Sequence, residues 1–197
     1  HKRNPMIALL KYNAGNTLSL QNALSRLGYQ SIISDDIATL KKADKVIFPG
    51  VGQASTAMSY LREKKLDQLI CNLTQPFLGI CLGLQLMCEH SEEGNTKCLG
   101  IFSTKVKKFG AQERVPHMGW NNYQTKDLKL FKGISPKTDV YYVHSYYAEL
   151  CKETIATCSY NTTFSAALEK NNFYATQFHP EKSGENGAAI LKNFLAL

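Results

Sequence analysis

Residues 76–85 set the terms for the rest of the chain. Phe77, Leu78, Gly79 and Ile80 form a short apolar run that reads as a buried strand, and Leu84, Gln85, Leu86 and Met87 have the composition of a helix start. Between them stands Cys81, with Gly79 two residues before it and Gly83 two residues after. A strand that turns into a helix about one residue leaves no room for neighbouring side chains, and glycine supplies that room. The turn lifts the sulfur above a sheet and aims it at the helix N-terminus, where free N–H groups and the helix dipole favour thiolate over thiol. An isolated cysteine is more often a buried structural residue. Two glycines in register after an apolar run reverse that preference and make Cys81 a candidate nucleophile.

Around this turn the pattern alternates. Strands are expected at 6–10, 29–34, 44–48 and 77–80, and helices at 36–42, 54–64 and 66–73. A helix after the first strand would bury Leu18, Leu20, Ala23, Leu24 and Leu27, with Asn16 or Thr17 as its cap and Gly28 as its end. Such alternation implies right-handed βαβ units and a mostly parallel sheet, with chemistry at the carboxyl ends of the strands. After Gly94 short strands dominate, at 100–109, 140–144, 155–160, 164–169 and 173–178, and an amphipathic helix at 187–197 closes the chain. The expectation is one α/β domain over 6–197, a mixed, mostly parallel sheet flanked by helices in a flavodoxin-like arrangement. His1 to Pro5 reads as an N-terminal extension of partly non-native origin, with Met6 as the native start.

Charge and cysteine usage exclude several functions. The net charge of +7 is spread as lysine pairs such as Lys41–Lys42 and Lys107–Lys108, with no basic block interleaved with aromatics, which argues against nucleic-acid binding. The six cysteines show no zinc-type pairing, and no metal or organic cofactor is indicated. With no signal peptide and no long apolar span, the chain is expected in the cytoplasm, off the membrane, with reduced thiols.

Near the C-terminus, His179 is followed two residues on by Glu181, with Pro180 stiffening the link. A histidine at a strand end beside a carboxylate suits a base and the group that orients it. Alone the triplet reads as a surface turn; with the cysteine turn it completes a nucleophile, base and orienter set. Acyl transfer also needs donors for the oxyanion. The N–H of Leu82 is one candidate, and the glycine-flanked loop Gly50, Val51 and Gly52 can supply the other.

Together, residues 49–52 (Pro-Gly-Val-Gly), 79–85 (Gly-Ile-Cys-Leu-Gly-Leu-Gln) and 179–183 (His-Pro-Glu-Lys-Ser) resemble the triad-type (class I) glutamine amidotransferases. Residues 12–16, 91–94, 115–121 and 141–146 are similar to the glutaminase subunits of imidazole glycerol phosphate synthase, so the likeness runs over essentially the whole chain. It implies glutamine as substrate, a thioester on Cys81, and a HisF-type (β/α)8 cyclase as heterodimeric partner. It further implies that Gln85, Glu93 and the backbone at Ser145 and Tyr146 hold the two ends of glutamine. His144 would orient backbone beside the pocket, and His117 would belong to a loop packed with Trp120. One departure is Lys11, where many relatives carry an aspartate.

Glycine at position 50 eases a peptide flip, so the 49–52 loop is expected to rest with a carbonyl where a donor belongs, until a partner binds. Lys11, Asn13, Asn16, Trp120 and Lys182 have no evident part in holding glutamine and are candidates for the partner-facing rim, although Trp120 reads equally as core. Three alternatives stay open: an amidotransferase subunit feeding another acceptor, a stand-alone glutamine or γ-glutamyl hydrolase, and a non-enzymatic scaffold, against which the complete triad argues.

Overall fold

The computed structural model of the chain describes residues 4–12, 17–50, 52–111, 114–127 and 129–197. Its centre is β1 (Ile7–Leu10), every residue of which is buried. Alternation divides that strand between two layers. Ile7 and Leu9 pack with Leu20 and Leu24 of α1 (Leu18–Arg26), whereas Ala8 and Leu10 face the opposite side. There they meet Leu40 of α2 (Ile37–Lys42), Met58 and Leu61 of α3 (Ala54–Glu63), Ile70 of α4 (Leu66–Asn72) and Leu84 of α5 (Leu82–Leu86). A strand buried on both faces needs apolar residues at every position, which is what the sequence provides.

The neighbours of β1 are β2 (Ser31–Ser34) and β3 (Lys45–Phe48), both parallel to it. Next comes β4 (Phe77–Ile80), the strand that leads into Cys81. The second half of the chain adds β5 (His90–Ser91), β6 (Thr96–Lys97), β7 (Lys105–Lys108), β8 (His117–Asn121) and β9 (Gln124–Thr125). After them run β10 (Val140–His144), β11 (Tyr146–Ala148), β12 (Thr154–Tyr160), β13 (Thr162–Lys170) and β14 (Phe173–Thr176). A single 3₁₀ turn (Pro180–Lys182) and α6 (Gly184–Leu195) end the fold, and Ile190, Leu191 and Phe194 of α6 join the α1 layer.

The main sheet has the order β2-β1-β3-β4-β14-β13-β12-β9. Its first five strands are parallel, in the 2-1-3-4-5 order of flavodoxin-like sheets once β14 is counted as the fifth, and the last three are added antiparallel. The expected mixed, mostly parallel sheet is therefore present. Two smaller sheets, β10-β8 and β11-β7-β5-β6, lie outside it.

Several local expectations need correction. Leu18 begins α1 but points outward and is 58% exposed, so the buried stripe of that helix starts at Leu20. Thr17 makes no side-chain capping bond, and Asn16 lies outside the described residues. The strand expected over 100–109 is confined to β7, and the one expected to reach Phe178 stops at Thr176. The last helix begins three residues earlier than expected, at Gly184. Among the described residues no helix is long and apolar enough to cross a membrane, and no group of three or more His, Cys, Asp or Glu is placed to hold a metal ion. All six cysteines are free thiols.

Candidate active site

Cys81 has φ +54° and ψ −106°, a left-handed conformation that an L-residue holds at a cost of about 1–3 kcal/mol. Close packing on both sides maintains it. A Cβ on Gly83 would lie 2.2 Å from the Phe48 carbonyl oxygen, and one on Gly79 would lie 2.4 Å from Met87 Sδ. The Cys81 N–H is tied to the Thr176 carbonyl at 2.8 Å. The turn therefore sits between β3 and β14, with the thiol 7% exposed at the carboxyl end of β4.

The candidate base comes from the strand paired with β4. Thr176 lies opposite Ile80 in the register, and His179 follows three residues later. Its N–H donates to the Tyr141 carbonyl at 3.0 Å, and its carbonyl accepts from Ser183 Oγ at 2.6 Å. The ring is thereby set in place. Nδ1 donates to Glu181 Oε1 at 3.2 Å, which leaves Nε2, buried and without a hydrogen-bonded partner among the described residues, as the nitrogen free for the thiol. Burial works against a charge on this imidazole. Attraction from Cys81 and Glu181 outweighs it and raises His179 from 6.5 to about 10. His179 is thereby a base able to hold the proton that it takes from the Cys81 thiol.

The structure brings the other predicted residues to one cavity of about 320 Å³. Gly50, Gly52, Cys81, Leu82, Gln85, Glu93, Ser145 and Tyr146 all line it. Val51 lies outside the described residues. Leu82 donates its N–H to the Gly50 carbonyl at 3.4 Å, so one expected oxyanion donor faces an acceptor. Gly50 is enclosed: a Cβ there would be 2.5 Å from the Tyr12 hydroxyl and 2.7 Å from Gly83 N. The Tyr12 hydroxyl itself donates to the Pro49 carbonyl. Glu93 accepts from Ala54 N–H at 2.7 Å, while burial pushes its carboxyl above the ordinary value. A larger cavity, about 430 Å³ between α3, α4 and β6, shares no residue with this site.

Two histidines stiffen the far wall. His144 Nδ1 donates to the Tyr146 carbonyl at 2.7 Å, and its Nε2 meets His117 Nδ1 at 2.9 Å. His117 Nε2 accepts from Asn121 Nδ2 at 3.2 Å. Burial lowers both imidazoles, His144 to about 3 and His117 to about 4, so both are neutral. His144 thus holds backbone beside the pocket as expected. The expectation for His117 needs correction: it lies in β8, not in a loop, and its ring stacks at 4.0 Å on Tyr160 and 4.9 Å on Tyr142. Trp120, three residues on, points the other way and is 56% exposed, which decides against a core role. It lies edge-on to Tyr141, and a Cβ on Gly184 would come within 3.9 Å of its ring. Lys182, two residues before Gly184, is exposed, as is Lys11; Asn13 lies outside the described residues.

One buried residue escaped the sequence reading. Gln177 is fully buried, with Oε1 3.1 Å from Gln85 Nε2 and Nε2 3.6 Å from Cys81 Sγ. The only available signal was a long polar side chain inside an otherwise apolar run just before His179.

The glutamine amidotransferase class-I family profile matches residues 9–197. The chain is 57% identical over 194 residues to the imidazole glycerol phosphate synthase subunit HisH of Bacteroides fragilis strain YCH46, covering 97% of this chain and 99% of that protein. The protein of the same name from Haemophilus influenzae strain ATCC 51907 is 47% identical over 191 residues, 96% of each chain. Among solved structures, a putative GMP synthase protein from Thermoplasma acidophilum has a TM-score of 0.76 at 20% identity, covering 100% of this chain and 94% of that one. A glutamine amidotransferase from Thermotoga maritima has a TM-score of 0.69 at 16% identity, covering 99% and 84%. These two structural likenesses carry the fold alone.

Proposed function

The chain belongs to the class-I glutamine amidotransferases and to their HisH group, and from that premise we propose that it is the glutaminase subunit of a cytoplasmic imidazole glycerol phosphate synthase. It hydrolyses glutamine to glutamate and ammonia, and hands the ammonia to a HisF-type (β/α)8 cyclase for histidine biosynthesis. The observation that carries this reading is Cys81 itself, held at φ +54° over the cavity with His179 raised to about 10 behind it. Likeness along the whole chain supports this acceptor over others.

The steps follow from the geometry. The Cys81 thiolate attacks the side-chain carbonyl of glutamine, and its electron pair forms the C–S bond. The His179 imidazolium gives its proton to the departing amine, which leaves as ammonia, and Glu181 holds the ring in the tautomer that does so. Water then adds to the thioester while His179 takes its proton. The C–S bond breaks with its electrons on sulfur, and glutamate leaves. Glu93, an acceptor on the cavity wall, suits the ammonium group of the substrate, and the Ser145–Tyr146 backbone suits its carboxylate end. Ammonia protonates in water and is then no nucleophile, so discharge into a partner suits the chemistry better than discharge into solvent.

The test is a glutaminase assay of the chain alone and with a HisF-type cyclase carrying its nucleotide substrate. The reading requires turnover that rises on complex formation and imidazole glycerol phosphate as product. Full turnover by the chain alone, indifferent to the cyclase, would point to a stand-alone hydrolase.

A further inference from the structure

Gln177 has no place in the hydrolysis described above, yet it is wholly buried against the nucleophile. A buried amide needs partners at both ends, and the polarity of this one is fixed by its surroundings. The Tyr146 carbonyl can only accept. Two side chains meet it, His144 Nδ1 at 2.7 Å and Gln85 at 2.9 Å. Gln85 must therefore turn its NH2 group towards that carbonyl, and the same NH2 supplies the hydrogen that reaches Gln177 at 3.1 Å. Only the Gln177 oxygen can take it. The Gln177 NH2 is then left facing Cys81 Sγ at 3.6 Å. One backbone carbonyl dictates the direction of the whole chain of amides.

The sulfur has a second partner of opposite preference. The Val143 carbonyl lies 3.7 Å from Sγ and can accept only from the protonated thiol. An N–H donor gains strength when its acceptor carries charge, whereas a carbonyl beside a thiolate is repelled. The Val143 carbonyl therefore suits the resting thiol, and Gln177 suits the thiolate.

Resting on the glutaminase reading above, we propose that Gln177 is a catalytic residue: its side-chain N–H, oriented by Gln85, is a built-in donor to the Cys81 thiolate. It serves the cycle twice. When His179 removes the thiol proton, the bond to Val143 is lost and the bond from Gln177 tightens, holding the sulfur aimed into the cavity. When water has added to the thioester and the C–S bond breaks, the electron pair left on sulfur meets the same N–H. The charged and titratable groups facing the sulfur or its cavity are His179 with Glu181 behind it, Tyr12 after β1, and Glu93, His144 and Tyr146 on the cavity wall. None of them is removed by a change at position 177.

The experiment compares Gln177→Leu and Gln177→Met, which remove the donor, with Gln177→Glu, which keeps the shape and replaces the donor by an acceptor. Alkylation of Cys81 by iodoacetamide in the free chain is followed against pH by mass spectrometry of the Cys81 peptide, with exposed Cys71 as internal reference. Thermal melting identifies the variants that fold. Loss of a hydrogen bond to a charged group predicts alkylation at pH 7 about 10–100-fold slower in the Leu and Met variants, and slower still in the Glu variant. The pH at half-maximal reaction should move upward in that order, and with the cyclase kcat should fall while KM for glutamine stays within about twofold. A folded Leu or Met variant whose alkylation profile and kcat match the parent's would overturn the proposal. Failure of the glutaminase reading looks different: the parent's Cys81 would then react no faster than Cys71, and no glutamine would be hydrolysed.

Discussion

The Gly50 carbonyl accepts the backbone N–H of Leu82 at 3.4 Å. That N–H lies immediately after the nucleophile, where an oxyanion would form, and in this arrangement it meets a protein oxygen instead of a substrate oxygen. The contact is long for a backbone hydrogen bond, so releasing it is cheap. Glycine at 50 further eases rotation of the peptide. The chain alone is therefore expected to turn over glutamine slowly, and a partner that turns the loop should raise kcat by about 10²–10³, the value of one oxyanion donor. Steady-state glutaminase kinetics with and without the cyclase measure this. A free chain already working at the stimulated rate would show that the Gly50 carbonyl does not restrain it.

Removing the nucleophile separates the two halves of the reaction. Cys81→Ala should abolish glutamine-dependent synthesis by the complex and leave synthesis from added ammonium salts intact, because acceptor chemistry lies on the partner. Equal loss of both activities would mean that the change had damaged the fold or the docking face.

The tight turn gives a prediction for stability. A Cβ on Gly83 would sit 2.2 Å from the Phe48 carbonyl oxygen, a backbone atom at the end of β3 that cannot swing aside. Gly83→Ala should cost about 1–3 kcal/mol in urea denaturation and displace the Cys81 turn, taking glutaminase activity with it. By contrast, a Cβ on Gly100 would meet nothing within 4 Å, although its φ of +72° strains any substitution there. Gly100→Ala should then cost less than Gly83→Ala and leave the site working; the reverse ranking would disprove the close-approach argument.

How much of this could be read from the sequence depends on the kind of force involved. β1, β3 and β4 are buried on both faces, and apolar runs announce such strands, in β3 over the three residues after Lys45. The meeting of Cys81, His179 and Glu181 at one place was legible because the turn demands glycines at fixed offsets and His179 sits two residues from Glu181. The β11-β7-β5-β6 sheet was not legible as a sheet, because β5 and β6 have only two residues each, too short a span to show a period. Leu18 failed because one turn of apolar spacing cannot say where a stripe begins. Gln177 failed for a deeper reason: its partners Gln85, Cys81 and, through Gln85, Tyr146 are 92, 96 and 31 residues distant in sequence, and only the pairing of β4 with β14 brings them together.

The paired histidines give the chain an acid limb. Burial holds His144 at about 3 and His117 at about 4 in the folded state, against 6.5 when unfolded. Both folded values are depressed, so the unfolded state binds more protons as pH falls below 6.5. The stability they contribute is complete above 6.5 and is lost progressively down to about 4 and 3. Each group adds about 1.4 kcal/mol per pH unit to the slope in that window. Urea denaturation of His117→Gln between pH 7 and pH 4 should give a slope lower than the parent's by about that amount near pH 5. An unchanged slope would mean that His117 is protonated in the native protein.

The last prediction concerns where the cyclase docks. Trp120 and Met118 project from the same face of β8 and are 56% and 62% exposed, although both are large apolar side chains. Trp120 lies over the start of α6 beside Gly184, two residues beyond exposed Lys182 and three beyond Glu181 of the triad. The rim of the site therefore joins an apolar pair to a cation within a few residues of Glu181. An exposed tryptophan at the centre of an interface commonly contributes about 2 kcal/mol or more, so Trp120→Ala should weaken cyclase binding by about 30-fold. Lys182→Glu should slow association and make it less sensitive to salt, with a smaller loss of affinity, as expected for a rim charge. Neither change should alter alkylation of Cys81 in the free chain, since neither side chain touches the sulfur. Titration calorimetry against the cyclase, run beside the alkylation assay, separates the two effects. A Trp120→Ala protein that binds and responds like the parent would move the docking face away from β8, towards the Lys11 side of the site.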